Sequence, residues 1–194
     1  MDINQRIAER VRSARDAAGL SLAALAERSG VSRSNISLIE RGESSATATV
    51  LDKLSAALGI TVASLFEGPP GDAPSPVARA AEQPRWTDPG SGYVRRNLSP
   101  AAWSPIQLVE VSFPPGARVA YDTAARAVDV DQQVWIIEGA MEVTVGETRW
   151  QLAAGDCLAM RLGQPMAFHN PGQTAARYLV ALTTQAHKPA RREP

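Results

Sequence analysis

At Phe66 the period of the apolar residues changes, and that change constrains the fold more than any single motif. Before it, apolar side chains such as Ile7, Val11 and Ala14 recur at three- and four-residue intervals, the spacing that lines one face of a helix. Beyond about residue 105 they alternate with polar ones, as in IQLVEVSF and MEVTVGE, which is the two-residue period of a half-buried strand. Between the two regimes, residues 67–92 hold Pro69, Pro70, Pro74, Pro76, Pro84 and Pro89 with few large aliphatics. Proline neither continues a helix nor donates to a sheet, so this stretch reads as a partly extended linker. A chain of 194 residues can support two small domains with separate cores. We therefore expect a multidomain fold: an all-α five-helix unit over 1–67, a proline-rich linker over 68–92, an all-β unit over 93–184 and a disordered tail over 185–194.

Twenty basic and twenty acidic residues cancel, so no overall basic field attracts nucleic acid, and only a local patch can do so. The single cysteine, Cys157, rules out an internal disulfide framework and suits a reducing cytoplasm. Its apolar setting, DCLAM, reads as a buried, inert thiol. The N-terminal MDINQRIAERVRSARDAAG is charged throughout, unlike a signal peptide. No run approaches the roughly 20 apolar residues that span a bilayer. A cytoplasmic protein without a membrane partner is expected.

Within the helical part, Gly19 stops a first helix and Ser21 caps SLAALAERSG, which ends at Gly30. Ser32 caps SRSNISLIERG, Thr47 or Thr49 opens TVLDKLSAALG, and VASLFE supplies a fifth, final turn. Two short helices broken at Gly30-Val31 form the helix-turn-helix arrangement, in which the second helix presents its N-terminal side chains to base edges. Residues 4–66 resemble the Cro-like (xenobiotic-response-element) helix-turn-helix family, on LAALAERSGVSRSNISLIERG followed by LDKLSAALGITVASLFE. That resemblance implies base-reading positions at Arg33, Ser34, Ser37 and Leu38, with Arg41 beside a phosphate. Ser21 and Ser32 would donate to phosphates as well as cap, and Arg15 would pair with Glu40. Leu22 stands where the family often has a glutamine, which leaves one phosphate contact open. Over residues 1–66 eight basic residues meet seven acids. So small a surplus predicts that specific binding to double-stranded DNA needs two copies on a near-palindromic operator.

Segment 105–184 resembles the cupin family, a small double-stranded β-helix barrel. The resemblance rests on PPG at 114–116, VWIIEGAMEVTVGE at 134–147, LAAGD at 152–156 and GQPMAFHN at 163–170. Cupins include metalloenzymes, isomerases and passive binding modules, so the fold leaves function open. The metal-binding members use two histidines and a glutamate from a first motif and one histidine from a second. Here the glutamate position is Gln132, ARVAYDTAARAVDVD contains no histidine, and the second-motif position is Met166. His169 follows three residues later, but strand parity turns it away from Met166 and Phe168. Only a bulge would bring it inward, where Asp122, Asp129 and Asp131 could then supply oxygens. No metal or other cofactor is expected.

Alternation places Gln132, Val134 and Ile136 inside the barrel, with Met141, Val143 and Val145 on a second inward set. Met160, Met166 and Phe168 add a flexible wall. This interior, formed by Gln132, Val134, Ile136, Met141, Val143, Met160, Met166 and Phe168, is either packed core or a pocket for a small, largely apolar effector. Trp135 and Ile137 lie on the opposite face, which suits burial against a second subunit. The fused pattern resembles transcriptional regulators, and the expectation is a homodimeric repressor with a metal-free, effector-sensing cupin and no enzymatic activity. Two alternatives stay open: a cupin metalloenzyme of the oxygenase or epoxidase kind with an attached helix-turn-helix, and a DNA binder whose cupin only dimerises.

Overall fold

The computed structural model describes residues 2–67, 75–122 and 128–186. Four α-helices come first: α1 (Ile3–Ala17), α2 (Leu22–Ser29), α3 (Arg33–Glu40) and α4 (Ala48–Leu58). Each begins where a short polar side chain accepts a hydrogen bond from a free backbone N–H of the first turn. The acceptors are Asp2, Ser21, Ser32 and Thr47. Gly30 ends α2 in the left-handed conformation, at φ 67°, which sets the sharp turn into α3. Ile7, Val11, Leu25, Ile36, Ile39, Leu51 and Leu54 fill the core between them.

The expected fifth helix is a single 3-10 turn, Ala63–Phe66, so the five-helix count is corrected to four α-helices. The segment spans four residues, and its N-cap residue, Val62, has no side chain that can cap it. A stretch that short closes i→i+3 bonds more readily than the longer α-helical ring.

Ten strands follow among the described residues, all paired antiparallel: β1 (Arg85–Thr87), β2 (Val94–Asn97), β3 (Ile106–Phe113), β4 (Arg118–Tyr121) and β5 (Val128–Glu138). They continue with β6 (Ala140–Val145), β7 (Thr148–Ala153), β8 (Cys157–Arg161), β9 (Met166–His169) and β10 (Ala176–Ala186). One sheet runs β1-β2-β3-β10-β5-β8 and the other β4-β9-β6-β7. Their inner faces meet over Val109, Val111, Phe113, Val134, Ile136, Met141, Val143 and Phe168, all buried. Gly139 joins β5 to β6 at φ 77°, and a Cβ there would come within 3.0 Å of the Ala176 backbone. Glycine is therefore required on both counts.

Three expectations about organisation change. The proline-rich stretch is not wholly linker, because Arg85–Thr87 pairs with β2 and Trp86 is buried. Its residues 68–74 lie outside the described residues. Strand β10 runs to Ala186, two residues into the expected tail, and the rest of that tail also lies outside the described residues. The cores are not separate: one apolar cluster runs from Leu51, Leu65 and Phe66 through Trp86 and Tyr93 to Phe113.

Polar contacts close the same joint. Asp88, buried in the turn between β1 and β2, accepts from the backbone N–H of Ala48 at 2.8 Å. A carboxylate thus sits at the positive N-terminal end of α4. Thr49 donates to the Ala120 carbonyl at 3.2 Å. The Asn97 amide donates to the Ala63 carbonyl at 3.4 Å, and Gln107 donates to Glu67 at 2.7 Å. The helical unit rests directly on one end of the barrel.

Candidate DNA-facing helix and barrel cavity

At the start of α3, Arg33 and Ser34 are exposed, while Ile36 and Ile39 on the opposite side are buried. Leu38 is also exposed, at 37 % of its surface. The hydroxyls of Ser21 and Ser32 accept from Ala24 and Asn35 at 3.1 and 3.3 Å. Each oxygen is thus engaged as a cap, and its O–H can still point outward. Arg41 is held by Glu43 through two hydrogen bonds of 2.8 Å, and it donates to Ser37 Oγ at 2.6 Å. Both side chains of the Arg41–Glu43 pair are about half exposed, so water screens it and a phosphate can compete for the guanidinium. Arg15 forks onto Glu40 at 2.7 and 2.9 Å with both side chains mostly buried, tying α1 to the end of α3.

Inside the barrel a cavity of about 90 Å³ opens at the end that meets the helical unit. Of the eight interior residues expected from alternation, Gln132, Met166 and Phe168 line it. Val134, Ile136, Met141 and Val143 do not; they are fully buried in close-packed core. Met160 is not a wall either, and its sulfur accepts from Gln132 Nε2 at 3.2 Å. The reason is position along the strands. Val134 and Ile136 share Gln132's face but lie two and four residues farther from the helical unit, where the two sheets close on each other.

Several lining residues were missed by that reading. Arg95 comes from β2 and Tyr93 immediately precedes that strand, Tyr121 comes from β4, and Tyr178 from β10. Asp52, Thr61, Val62 and Ala63 come from the helical unit. Strand parity carries the missing signal, since Tyr93 and Arg95 share a face, as do Tyr178, Val180 and Leu182. The short strand YVRRN was hidden by the prolines before it. The aromatic rings form a continuous wall: Tyr93 stacks on Phe113 at 5.5 Å, Tyr178 stacks on Phe168 at 6.0 Å, and Tyr121 meets Phe168 edge-on at 6.2 Å. Burial raises the pKa of Tyr93, and of Tyr121 and Tyr178 well above that of an exposed phenol. All three stay neutral O–H groups at ordinary pH.

The donor chemistry does not fit a cupin metal. At Gln132 and Met166 stand an amide whose nitrogen faces a thioether and a buried methionine. Nitrogen and carboxylate donors suit iron, manganese, nickel or zinc far better. His169 sits beside Glu142, with Nδ1 3.8 Å from Oε1, and is not part of the cavity wall. Asp122 is exposed, and Asp131 accepts from Arg161 at 3.0 Å. Among the described residues no group of three or more His, Cys, Asp or Glu side chains converges.

On the barrel's outer face, Trp135 is 47 % exposed, opposite Cys157 on β8 and Leu179 on β10. Cys157 is exposed, which corrects the expected buried thiol. Leu158 and Met160 turn inward on β8, so parity turns Cys157 out. No helix among the described residues is long and apolar enough to cross a membrane.

A helix-turn-helix family model, HTH_3, matches residues 11–65, and a cupin-domain model, Cupin_2, matches residues 109–182. Among solved structures, an HTH_3 family transcriptional regulator from Vibrio cholerae superposes with a TM-score of 0.73 at 23 % identity. The match covers 93 % of this chain and 96 % of that one, so the whole two-domain fold has a solved counterpart. The Cupin_2 domain of an XRE family transcriptional regulator from Enterobacter cloacae matches at 17 % identity and a TM-score of 0.41, covering 50 % of this chain and 97 % of that one. Hydroxypropylphosphonic acid epoxidase from S. wedmorenis matches at 19 % identity and a TM-score of 0.46, covering 93 % and 98 %. These last two are distant likenesses. No curated protein matches the chain.

Proposed function

We infer that this chain, an XRE-type helix-turn-helix protein of the HTH_3 family with a C-terminal Cupin_2 domain, is a sequence-specific DNA-binding transcriptional regulator. By this reading it is a repressor whose barrel responds to a small-molecule effector and catalyses nothing. The observation that carries it is the joint. The cavity is walled by residues of both units, so an occupant touches the element that bears the recognition helix. A ligand acts on DNA binding only through unequal affinity for two arrangements of the protein, and a shared wall supplies that inequality directly. Among the described residues, the barrel end contributes a guanidinium, an amide, phenols, one thioether and apolar side chains to the wall, a set that suits binding.

Arg33 and Ser34, exposed at the capped start of α3, would enter the major groove, with the Arg33 fork on guanine O6 and N7. Ser37 and Leu38 follow on the same helix, and Arg41, Ser21 and Ser32 would flank the phosphates. The exposed Trp135 face suits a second copy of the chain, giving a homodimer with two recognition helices one DNA turn, roughly 34–36 Å, apart.

The test uses the full-length protein to select sites from random duplex DNA, then measures binding of the Arg33→Ala variant to the selected site. Affinity should fall roughly 10- to 100-fold, with discrimination lost at one guanine in each half-site. The melting temperature should stay unchanged, because Arg33 is exposed. Equal binding by the variant would remove α3 from the DNA interface.

A further inference from the structure

Resting on that sensor reading, we propose that the effector is a small organic monocarboxylate, held in the barrel cavity by the guanidinium of Arg95. Arg95 lines the cavity, and its buried Nη2 has no hydrogen-bond partner. Nε donates to Asn97 at a long 3.4 Å. Its neighbours in the sheet are served differently: Arg96 meets Glu110 at 3.1 Å, and Arg177 meets Glu110 and Glu138. Among the described residues, Arg95 alone of these three reaches no carboxylate. A buried cation without a counter-ion is costly and persists where something else supplies the opposite charge. Burial accordingly lowers the pKa of Arg95.

The surroundings are arranged for an anion with an apolar body. Three neutral phenols, those of Tyr93, Tyr121 and Tyr178, face the same space as Arg95. Only the first two contact each other, through hydroxyls 3.4 Å apart. A carboxylate accepts from both a planar guanidinium fork and phenolic O–H groups, and charge-assisted bonds of this kind are the stronger ones. The remaining wall, including Val111, Met166 and Phe168, is apolar. Asp52 is the one acid on the wall among the described residues, so a second negative charge on the ligand would meet a like charge, which favours a monoanion. At about 90 Å³, the space suits a molecule of roughly six to ten non-hydrogen atoms.

The same anchor lies on the joint between the two units. The Arg95 guanidinium carbon lies 5.2 Å from the centre of the Phe66 ring, in the 3-10 turn of the helical unit. Asn97, which accepts from Arg95, also holds the Ala63 carbonyl. An anion on Arg95 therefore bears on the contact that seats the helical unit, with no relay through the proline-rich stretch.

Titration calorimetry and thermal shift on the full chain should use hexanoate, benzoate and phenylacetate, each against its amide. The acids are expected to bind and raise the melting temperature, and the amides to bind at least tenfold more weakly. Arg95→Met should weaken acid binding roughly 100-fold while leaving the ligand-free melting temperature unchanged or raised. Arg95→Lys keeps the charge without the fork and should fall between the two. The acids should also change affinity for the selected operator by at least fivefold. Absence of acid binding to the wild type, equal binding of the amides, or an unchanged acid affinity in Arg95→Met would each overturn the carboxylate assignment. If the acids bind through Arg95 but operator affinity does not move, the site stands and the sensor reading falls.

Discussion

The two ends of the barrel use one strand pattern for opposite purposes. On β5, Gln132, Val134 and Ile136 point inward in succession, yet Gln132 faces a cavity while the other two are fully buried. At the far end the facing sheet supplies Met141 and Val143, also fully buried, and the sheets close on each other. At the near end tyrosines, Arg95 and a polar amide line the space, and the helical unit forms part of the wall. A cavity remains in this barrel where the second unit contributes Asp52 and Thr61 to the wall, and the interior elsewhere is ordinary core.

The largest effect should come from truncating a side chain at the packed end. Met141→Ala removes buried atoms that the close-packed neighbours cannot replace, at a cost of about 2–5 kcal/mol. For a chain of this length that is a fall in melting temperature on the order of 10 °C. Met166→Ala, at the hollow end, should cost less than half as much, because one side of Met166 already faces space and forgoes those contacts. Thermal denaturation of the two variants side by side decides the matter. Equal losses would mean that the near end is as tightly packed as the far one.

That contrast also marks what the sequence could reveal. The helical unit was legible because each signal is local: a capping serine, a glycine at φ 67° and an apolar residue every third or fourth position. The barrel strands were legible from alternation, down to the outward turn of His169 beside Glu142. The fifth helix failed because a four-residue segment is too short for pattern to separate an α from a 3-10 turn. Cys157 failed because its apolar neighbours in sequence lie on the other face of the strand. Parity selects the residues that face inward, but it does not say how far along a barrel the sheets close, so it could not separate Gln132 from Ile136. Arg95 and the tyrosines were out of reach for a different reason. They belong to three distant segments that only the tertiary fold brings together.

An intermediate effect is expected where the near end meets the helical unit. Asp88 is buried and accepts from Ala48 N, Ser91 N and Ser91 Oγ at 2.8, 2.8 and 2.6 Å. Asp88→Ala leaves those donors unpaired and withdraws the negative charge from the start of α4, a loss of roughly 1–3 kcal/mol. Because the contact spans two units, we expect the wild type to melt in one transition and the variant in two, the helical unit melting first. Asp88→Asn keeps an acceptor and should split the melt less. A variant that melts in one step at the wild-type temperature would show that the joint does not depend on this carboxylate.

The smallest expected effect is that of divalent metal, and it tests whether the hollow end is a binding space or a disguised metal centre. A catalytic cupin needs three or four nitrogen or oxygen donors converging on one point. Here Gln132 offers an amide engaged with Met160, Met166 offers a thioether, and His169 lies outside the cavity wall. Neutral amides and thioethers are weak ligands for iron, manganese, nickel and zinc. Protein incubated with each ion, then passed through a desalting column, should retain well under one equivalent by elemental analysis and show no rise in melting temperature. One equivalent held by the wild type but lost in both Gln132→Leu and Met166→Leu would place a metal at the hollow end. In that case the difference between the two ends would be catalytic rather than regulatory, and the helix-turn-helix would be attached to an enzyme.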